Sequence, residues 1–202
     1  MRLGFDIDEV VCLLSQRIAD ELSEEYELTK KESLDLIFKF IEDYNFKIND
    51  VHGHVDEVTQ FFLEKAYNEK TLLSAPVDKE AQKIIRMLKH NSHSIHFITS
   101  RSEAFKDITI NWLRKNKLVF DSVHFVGHNG EKGQIARLLN LDFFLDDLEK
   151  SLYSLYKYKK RWRKGLCLLD KPWNTAYIDG SKFLRLKNWK AVQRHLGIHN
   201  RI

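Results

Sequence analysis

From Leu13 to Tyr67 apolar positions return every three or four residues, in LLSQRIADELSEEY, ESLDLIFKFIEDY and VDEVTQFFLEKAY, with almost no β-rich run between them. That is the period of helices with one buried face, so residues 13–75 read as an all-helical block. From Pro76 onward the pattern alternates. VDKEAQKIIRMLKHN reads as a helix and SIHFIT as a strand; a helix over Glu103–Asn116, the strand VHFV, a helix over Gln134–Leu139 and the strand FFLDD follow. CLLD and FLRL add one or two short strands, and NWKAVQRHL closes the chain as an amphipathic helix. Alternation of this kind predicts an α/β fold, a Rossmann-like parallel sheet with helices on both faces.

The apolar run RLGFDI at residues 2–7 is a further strand, cut off from this pattern by the helical block. Residues 1–12 and 76–202 are therefore expected to form one core, with 13–75 inserted as a cap. Ligands of open α/β sheets bind outside the carboxyl ends of the strands, which directs attention to the residues there.

Composition narrows the class. At 202 residues with 43% hydrophobic content the chain is long enough to bury a sizeable core. No stretch approaches the roughly 20 apolar residues of a membrane span, and residues 1–11 enter a strand without the sections of a signal peptide. Cys12 and Cys167 match no zinc or redox spacing and read as buried thiols. These features predict a soluble, cytoplasmic protein with no membrane partner. The net charge of +4 is unevenly spread: residues 13–75 carry 14 acidic and 7 basic side chains, so the remainder holds +11. An anionic ligand would be drawn to that remainder.

Charge placed inside apolar runs is the strongest chemical signal. GFDIDEVV sets Asp6 and Asp8 among Phe5, Ile7, Val10 and Val11, and a buried carboxylate costs several kcal/mol unless it is paired, hydrogen-bonded or metal-bound. The second strand ends at Thr99-Ser100-Arg101, and the fourth at Asp146-Asp147. Lys132 lies in the HNGEKG turn before the helix that precedes that fourth strand. In a parallel sheet these groups converge.

In that order, an acid pair, then Thr/Ser, then Lys, then Asp-Asp, the chain resembles the haloacid dehalogenase (HAD) superfamily of phosphohydrolases, whose four motifs are matched by FDIDEVV, FITSR, Lys132 and FLDD. The helical block also falls where that superfamily inserts a cap. The resemblance implies that Asp6 is the nucleophile and forms an aspartyl phosphate, and that Asp8 is the acid that later activates water. It implies further that Thr99, Ser100, Arg101 and Lys132 bind the phosphate. Mg²⁺ would be held at Asp6, Asp8 through its backbone carbonyl, Asp146 and Asp147, an all-oxygen set suited to a hard cation. One departure stands out: Glu9 occupies the position after the second Asp where the superfamily usually has Gly, and Glu does not readily take positive φ. A receiver-type phosphoacceptor module uses similar residues, but there the acid pair ends the first strand and the Lys comes last, which this order disfavours.

Within the superfamily the chain is most similar to the 5′(3′)-deoxyribonucleotidase branch, through Asp6-Ile7-Asp8 leading into Val10-Val11, a helical cap of that size, the short interval from Lys132 to Asp146, and the tail LLDKPWN followed by Asn188-Trp189. The resemblance implies a phosphomonoesterase acting on a small phosphate ester, a nucleoside monophosphate in the first instance. The PWN segment reads equally as a turn with Trp173 as hydrophobic anchor and as a substrate contact. Phe38, Phe40, Tyr44, Phe46, Phe61 and Phe62 offer stacking surfaces for a base but sit at core-like helical spacing. His52 and His54 are left without a role. The run KYKKRWRKG at 157–165 holds six basic residues among aromatics, a pattern suited to nucleic acid. It keeps terminal phosphates of DNA or RNA open as an alternative substrate.

Overall fold

Strand β1 (Arg2–Phe5) is central in a six-stranded sheet, with Leu3 and Phe5 buried on one face and Gly4 on the other. A computed structural model of the chain describes residues 1–47, 57–66, 68–127, 130–158, 162–176 and 182–198. Within them β2 (Ser94–Thr99), β3 (Ser122–Phe125), β4 (Phe143–Asp146), β5 (Gly165–Leu169) and β6 (Leu184–Leu186) all run parallel to β1, in the order β3-β2-β1-β4-β5-β6. The two-residue period divides each strand between two cores. Phe143, Leu145, Cys167 and Leu169 join Leu3, Phe5 and Phe97 on one face. Phe144, Leu166 and Leu168 join Ile98 on the other. Gly4 makes the second core possible: a Cβ there would lie 2.4 Å from the Phe144 ring.

Helices α5 (Lys79–His90) and α9 (Trp189–His195) cover the first face with Ile84, Ile85, Leu88, Trp189 and Val192, while α6 (Lys106–Lys115) adds Trp112 and Leu113 to that core. Helices α7 (Lys132–Leu138) and α8 (Glu149–Tyr158) cover the second with Ala136, Leu152 and Leu155. The helix expected from Glu103 starts as a 3₁₀ turn, Glu103–Phe105, because the Ser102 hydroxyl caps the Ala104 N–H. Helix α7 begins two residues earlier than its periodicity suggests, since Glu131 is extended (φ −104°, ψ 104°) and Lys132 is already in the first turn.

The helical block is α1 (Leu14–Tyr26), α2 (Lys30–Lys47), α3 (Glu57–Ala66) and α4 (Glu69–Ser74). Thr29 and Glu32 form a reciprocal cap at the start of α2, with Thr29 N–H to Glu32 at 2.9 Å and Glu32 N–H to Thr29 Oγ1 at 3.3 Å. The chain leaves and rejoins the sheet at one place: Leu13 N–H donates to Pro76 O (2.8 Å) and Asp78 N–H to Val11 O (2.9 Å). Ile18, Leu22, Ile37, Ile41 and Phe61 of these helices are buried in a cluster continuous with the first sheet face. Among the described residues no helix is long and apolar enough to cross a membrane.

Candidate active site

The strand order reverses between β1 and β4, and that crevice is where an open sheet leaves room for a ligand. Asp6 follows β1 there, its N–H donating to Leu145 O at 3.0 Å. The chain then turns tightly, with the N–H groups of Val11 and Cys12 both donating to Ile7 O at 2.9 Å. Glu9 takes φ +57° in this turn, as a glycine would. The expectation that Glu resists that conformation is corrected by its side chain, whose oxygens accept from Ser15 N–H (2.6 Å) and Ser15 Oγ–H (2.8 Å) at the start of α1. Two hydrogen bonds to a buried carboxylate offset the backbone cost. From behind, Trp189 Nε1–H donates to Val10 O (3.1 Å) and its ring stacks on Phe5 at 5.5 Å. The Asn188-Trp189 pair is thus a brace for this loop, with Asn188 capping α9.

Asp6, Asp146 and Asp147 are buried with ligand-capable oxygens within 4.8 Å of one another. Helix α7 delivers Lys132, 3% exposed, whose ammonium lies 2.8 Å from Asp146 Oδ2 and 2.9 Å from Asp6 Oδ1. Gly133 lets α7 approach α8 this closely, since a Cβ there would lie 2.8 Å from Ser154 O. Burial pushes the Asp6 carboxyl up to about 7, with the charges of Asp146 and Asp8 adding to it and Lys132 opposing. Burial also holds Asp147 well above the carboxylate range. For Lys132 burial acts downward, but Asp146 and Asp6 outweigh it and keep the ammonium charged.

Asp6 and Asp146 share one ammonium, and the Asp147 carboxylate beside them has the neutral indole of Trp173 as its hydrogen-bond donor, so negative charge is in excess when all three are ionised. Asp6 Oδ1, although close to Lys132, is outside hydrogen-bonding geometry and is the one buried side-chain polar atom among the described residues without a donor. The donor set is entirely oxygen. A divalent hard cation supplies the missing charge and a ligand for that oxygen, so the cluster fits one.

The remaining motif residues surround this cluster. Thr99 ends β2 fully buried, its hydroxyl accepting from Arg101 N–H at 3.2 Å; Ser100 beside it is exposed. Asp8 is not part of the three-carboxylate group. Its oxygens are taken by Arg101, which also donates to Thr109 Oγ1 (3.0 Å) and to Cys12 Sγ (3.5 Å). Expected from sequence as a substrate ligand, Arg101 is buried and occupied with Asp8.

A contact that no local pattern announced comes from the 3₁₀ turn Pro172–Asn174. Trp173 Nε1–H donates to Asp147 Oδ2 (2.9 Å), and Asn174 Nδ2 donates to the Asp147 backbone carbonyl (2.9 Å). Trp173 is buried, in keeping with the anchor reading of PWN. Phe38 packs on Trp173, Phe40 on Phe62 and Phe61 on Tyr26, so these aromatics are engaged with one another or with the core. The side chains of Tyr44 and Phe46, residues His52 and His54, and Lys159–Arg161 of the basic run lie outside the described residues. Trp162 of that run packs against the second core.

No protein-family model matches the chain. It is 26% identical over 138 residues to a nucleotidase of Clostridium acetobutylicum, a match covering 68% of this chain and 67% of the relative. It is 28% identical over 118 residues to YqfW of Bacillus subtilis, a provisionally named nucleotidase, with 57% of each chain covered. Among solved structures it superposes on YfnB of Bacillus subtilis, provisionally described as a HAD hydrolase and bound to magnesium, with a TM-score of 0.65, 13% identity and 98% of each chain covered. The chain has the fold of the HAD hydrolases.

Proposed function

We propose that this chain, having the HAD hydrolase fold with acidic and hydroxyl groups at three strand ends and an ammonium at the start of α7, as the sequence motifs marked, is a Mg²⁺-dependent phosphomonoesterase. The observation that carries the reading is the buried trio Asp6, Asp146 and Asp147, with the Lys132 ammonium against the first two. Asp6 and Asp146 with Asp147, joined by the backbone carbonyl of Asp8, would hold the cation, which when bound neutralises the repulsion between a carboxylate nucleophile and a phosphate ester.

The protein's own groups divide the chemistry. Asp6 attacks phosphorus, forming the aspartyl P–O bond while the ester P–O bond breaks, and Asp8 gives its proton to the departing oxygen. A water then attacks the aspartyl phosphate, Asp8 takes its proton, and Asp6 is released with inorganic phosphate. Lys132 offsets charge on the phosphoryl oxygens, and the Thr99 hydroxyl and exposed Ser100 orient them. Arg101 keeps Asp8 in register. Residues 1–12 and 76–202 act as the core and 13–75 as the cap, a division supported by the adjoining chain crossings at 11–13 and 76–78.

Nucleoside monophosphates are the proposed substrates, supported by the nucleotidase names of the two relatives and by a helical insert that suits a small ester over a polymer. The test is turnover with Mg²⁺ on 5′- and 3′-mononucleotides, sugar phosphates and 5′-phosphorylated oligonucleotides, with Asp6→Asn as control. Mononucleotide hydrolysis that falls to background in Asp6→Asn is expected. An unchanged rate in that variant overturns the mechanism; preference for the oligonucleotide transfers the substrate to nucleic-acid ends.

A further inference from the structure

One buried side chain touches both the acidic cluster and the inserted helices. Trp173, 2% exposed, donates its indole N–H to Asp147 Oδ2 at 2.9 Å, while its ring meets Phe38 of α2 with centroids 5.3 Å apart and planes at 49°. Pro172 opens the turn that carries it. Asn174 closes the turn, its amide donating to Asp147 O (2.9 Å) and Leu169 O (2.8 Å) and its Oδ1 accepting from Lys171 N–H (3.0 Å). Asp147 is therefore held at two points, backbone and carboxylate, by adjacent residues.

A carboxylate at a strand end rotates about its last torsion unless a donor fixes one oxygen. With Oδ2 engaged by the indole, Oδ1 is the oxygen left for a ligand. Groups that orient a metal ligand from outside the ligand set commonly change metal affinity by about 10–100-fold when removed. We propose that Trp173 is a positioning residue: its N–H sets the Asp147 carboxylate for the divalent cation, and its contact with Phe38 makes that setting depend on the seat of α2. The inference rests on the reading of the Asp6–Asp146–Asp147 cluster as a cation site and adds a link between that site and the inserted helices.

Calorimetric titration of the full chain with MgCl₂ tests it, using wild type, Trp173→Phe, Phe38→Ala, Asp147→Asn and the two double variants that pair Trp173→Phe with each of the others. Trp173→Phe keeps an aromatic ring and removes the donor, so Mg²⁺ should bind about tenfold more weakly with the fold retained at a lowered metal-free melting temperature. That loss should vanish in the Asp147→Asn background, because the donor then has no ligand to set. Phe38→Ala leaves the indole and the turn in place and should weaken binding several-fold, with no added loss on top of Trp173→Phe. Wild-type affinity in Trp173→Phe, or an equal loss with and without the Asp147 carboxylate, overturns the proposal while leaving the cation site standing. A wild-type protein that takes up no Mg²⁺ overturns the site and the proposal together.

Discussion

Arg101 holds Asp8 with both arms of its guanidinium, Nε to Oδ2 at 3.0 Å and Nη2 to Oδ1 at 2.6 Å, joining the ends of β1 and β2 across 93 residues of chain. A planar fork matched to a carboxylate fixes direction as well as charge. The group proposed to move the proton is thus oriented by a buried arginine.

Arg101→Lys removes the fork and leaves one ammonium to serve Asp8 and Thr109. The fold should persist with a loss of about 1–3 kcal/mol, and turnover on mononucleotides should fall at least tenfold. Because Asp8 serves the leaving oxygen, the loss should be much smaller with p-nitrophenyl phosphate, whose phenolate needs little help. Parallel rates on both substrates decide it: an equal loss on each would remove proton transfer from the role of this pair.

Lys132 is, among the described residues, the cation ion-paired with Asp6 and Asp146. Lys132→Met should lower turnover by about 10²–10³-fold, as removal of one charge-stabilising donor does elsewhere. It should also make stability more dependent on the cation. At pH 8 the metal-free variant should melt below wild type, and the rise in melting temperature on adding Mg²⁺ should exceed that of wild type. Melting curves with and without Mg²⁺ check this, and an identical Mg²⁺ response in the two proteins would contradict the charge argument.

Much of this site was legible because β1, β2 and β4 are continuous apolar runs that stop abruptly at acid or hydroxyl groups, and a parallel sheet brings such stops to one edge. What stayed hidden depends on register between distant segments. The Arg101 side chain is directed at Asp8 by the alignment of β1 on β2, and Trp173 reaches Asp147 because the turn after β5 folds back over the end of β4. Neither pairing leaves a periodic trace. Glu9 shows the opposite limit: its residue type argued against the left-handed turn, and a tertiary contact with Ser15 reversed that preference. The start of α7 was displaced for a local reason, the extended Glu131 that places Lys132 in the first helical turn.

At the β2–β3 edge, away from the acidic cluster, the Ser122 hydroxyl bridges His96 Nδ1 (2.7 Å) and His124 Nε2 (2.8 Å). Burial lowers both imidazoles from their usual 6.5, and Asp121 opposes this at His96. Folded-state values below the unfolded ones mean that their contribution is fully present above pH 6.5 and is lost as pH falls toward the folded values. Between pH 7 and 5 the melting temperature should drop, and the double variant His96→Gln with His124→Gln should show a shallower drop. Melting curves across that interval test it; an unchanged slope in the variant would assign the acid sensitivity to other groups.

Glu9 separates backbone strain from side-chain bonding. At φ +57° a residue with a Cβ pays about 1–2 kcal/mol that glycine does not, and Glu9 offsets this with its two hydrogen bonds to Ser15. Glu9→Ala keeps the strain and loses the bonds, so it should be the least stable form. Glu9→Gly loses the bonds and the strain together, and should lie between Ala and wild type, about 1 kcal/mol above Ala. Urea unfolding of the three proteins gives the order directly. An alanine variant as stable as the glycine variant would mean that the turn following Asp8 carries no strain, and that the Ser15 contacts serve only to seat α1.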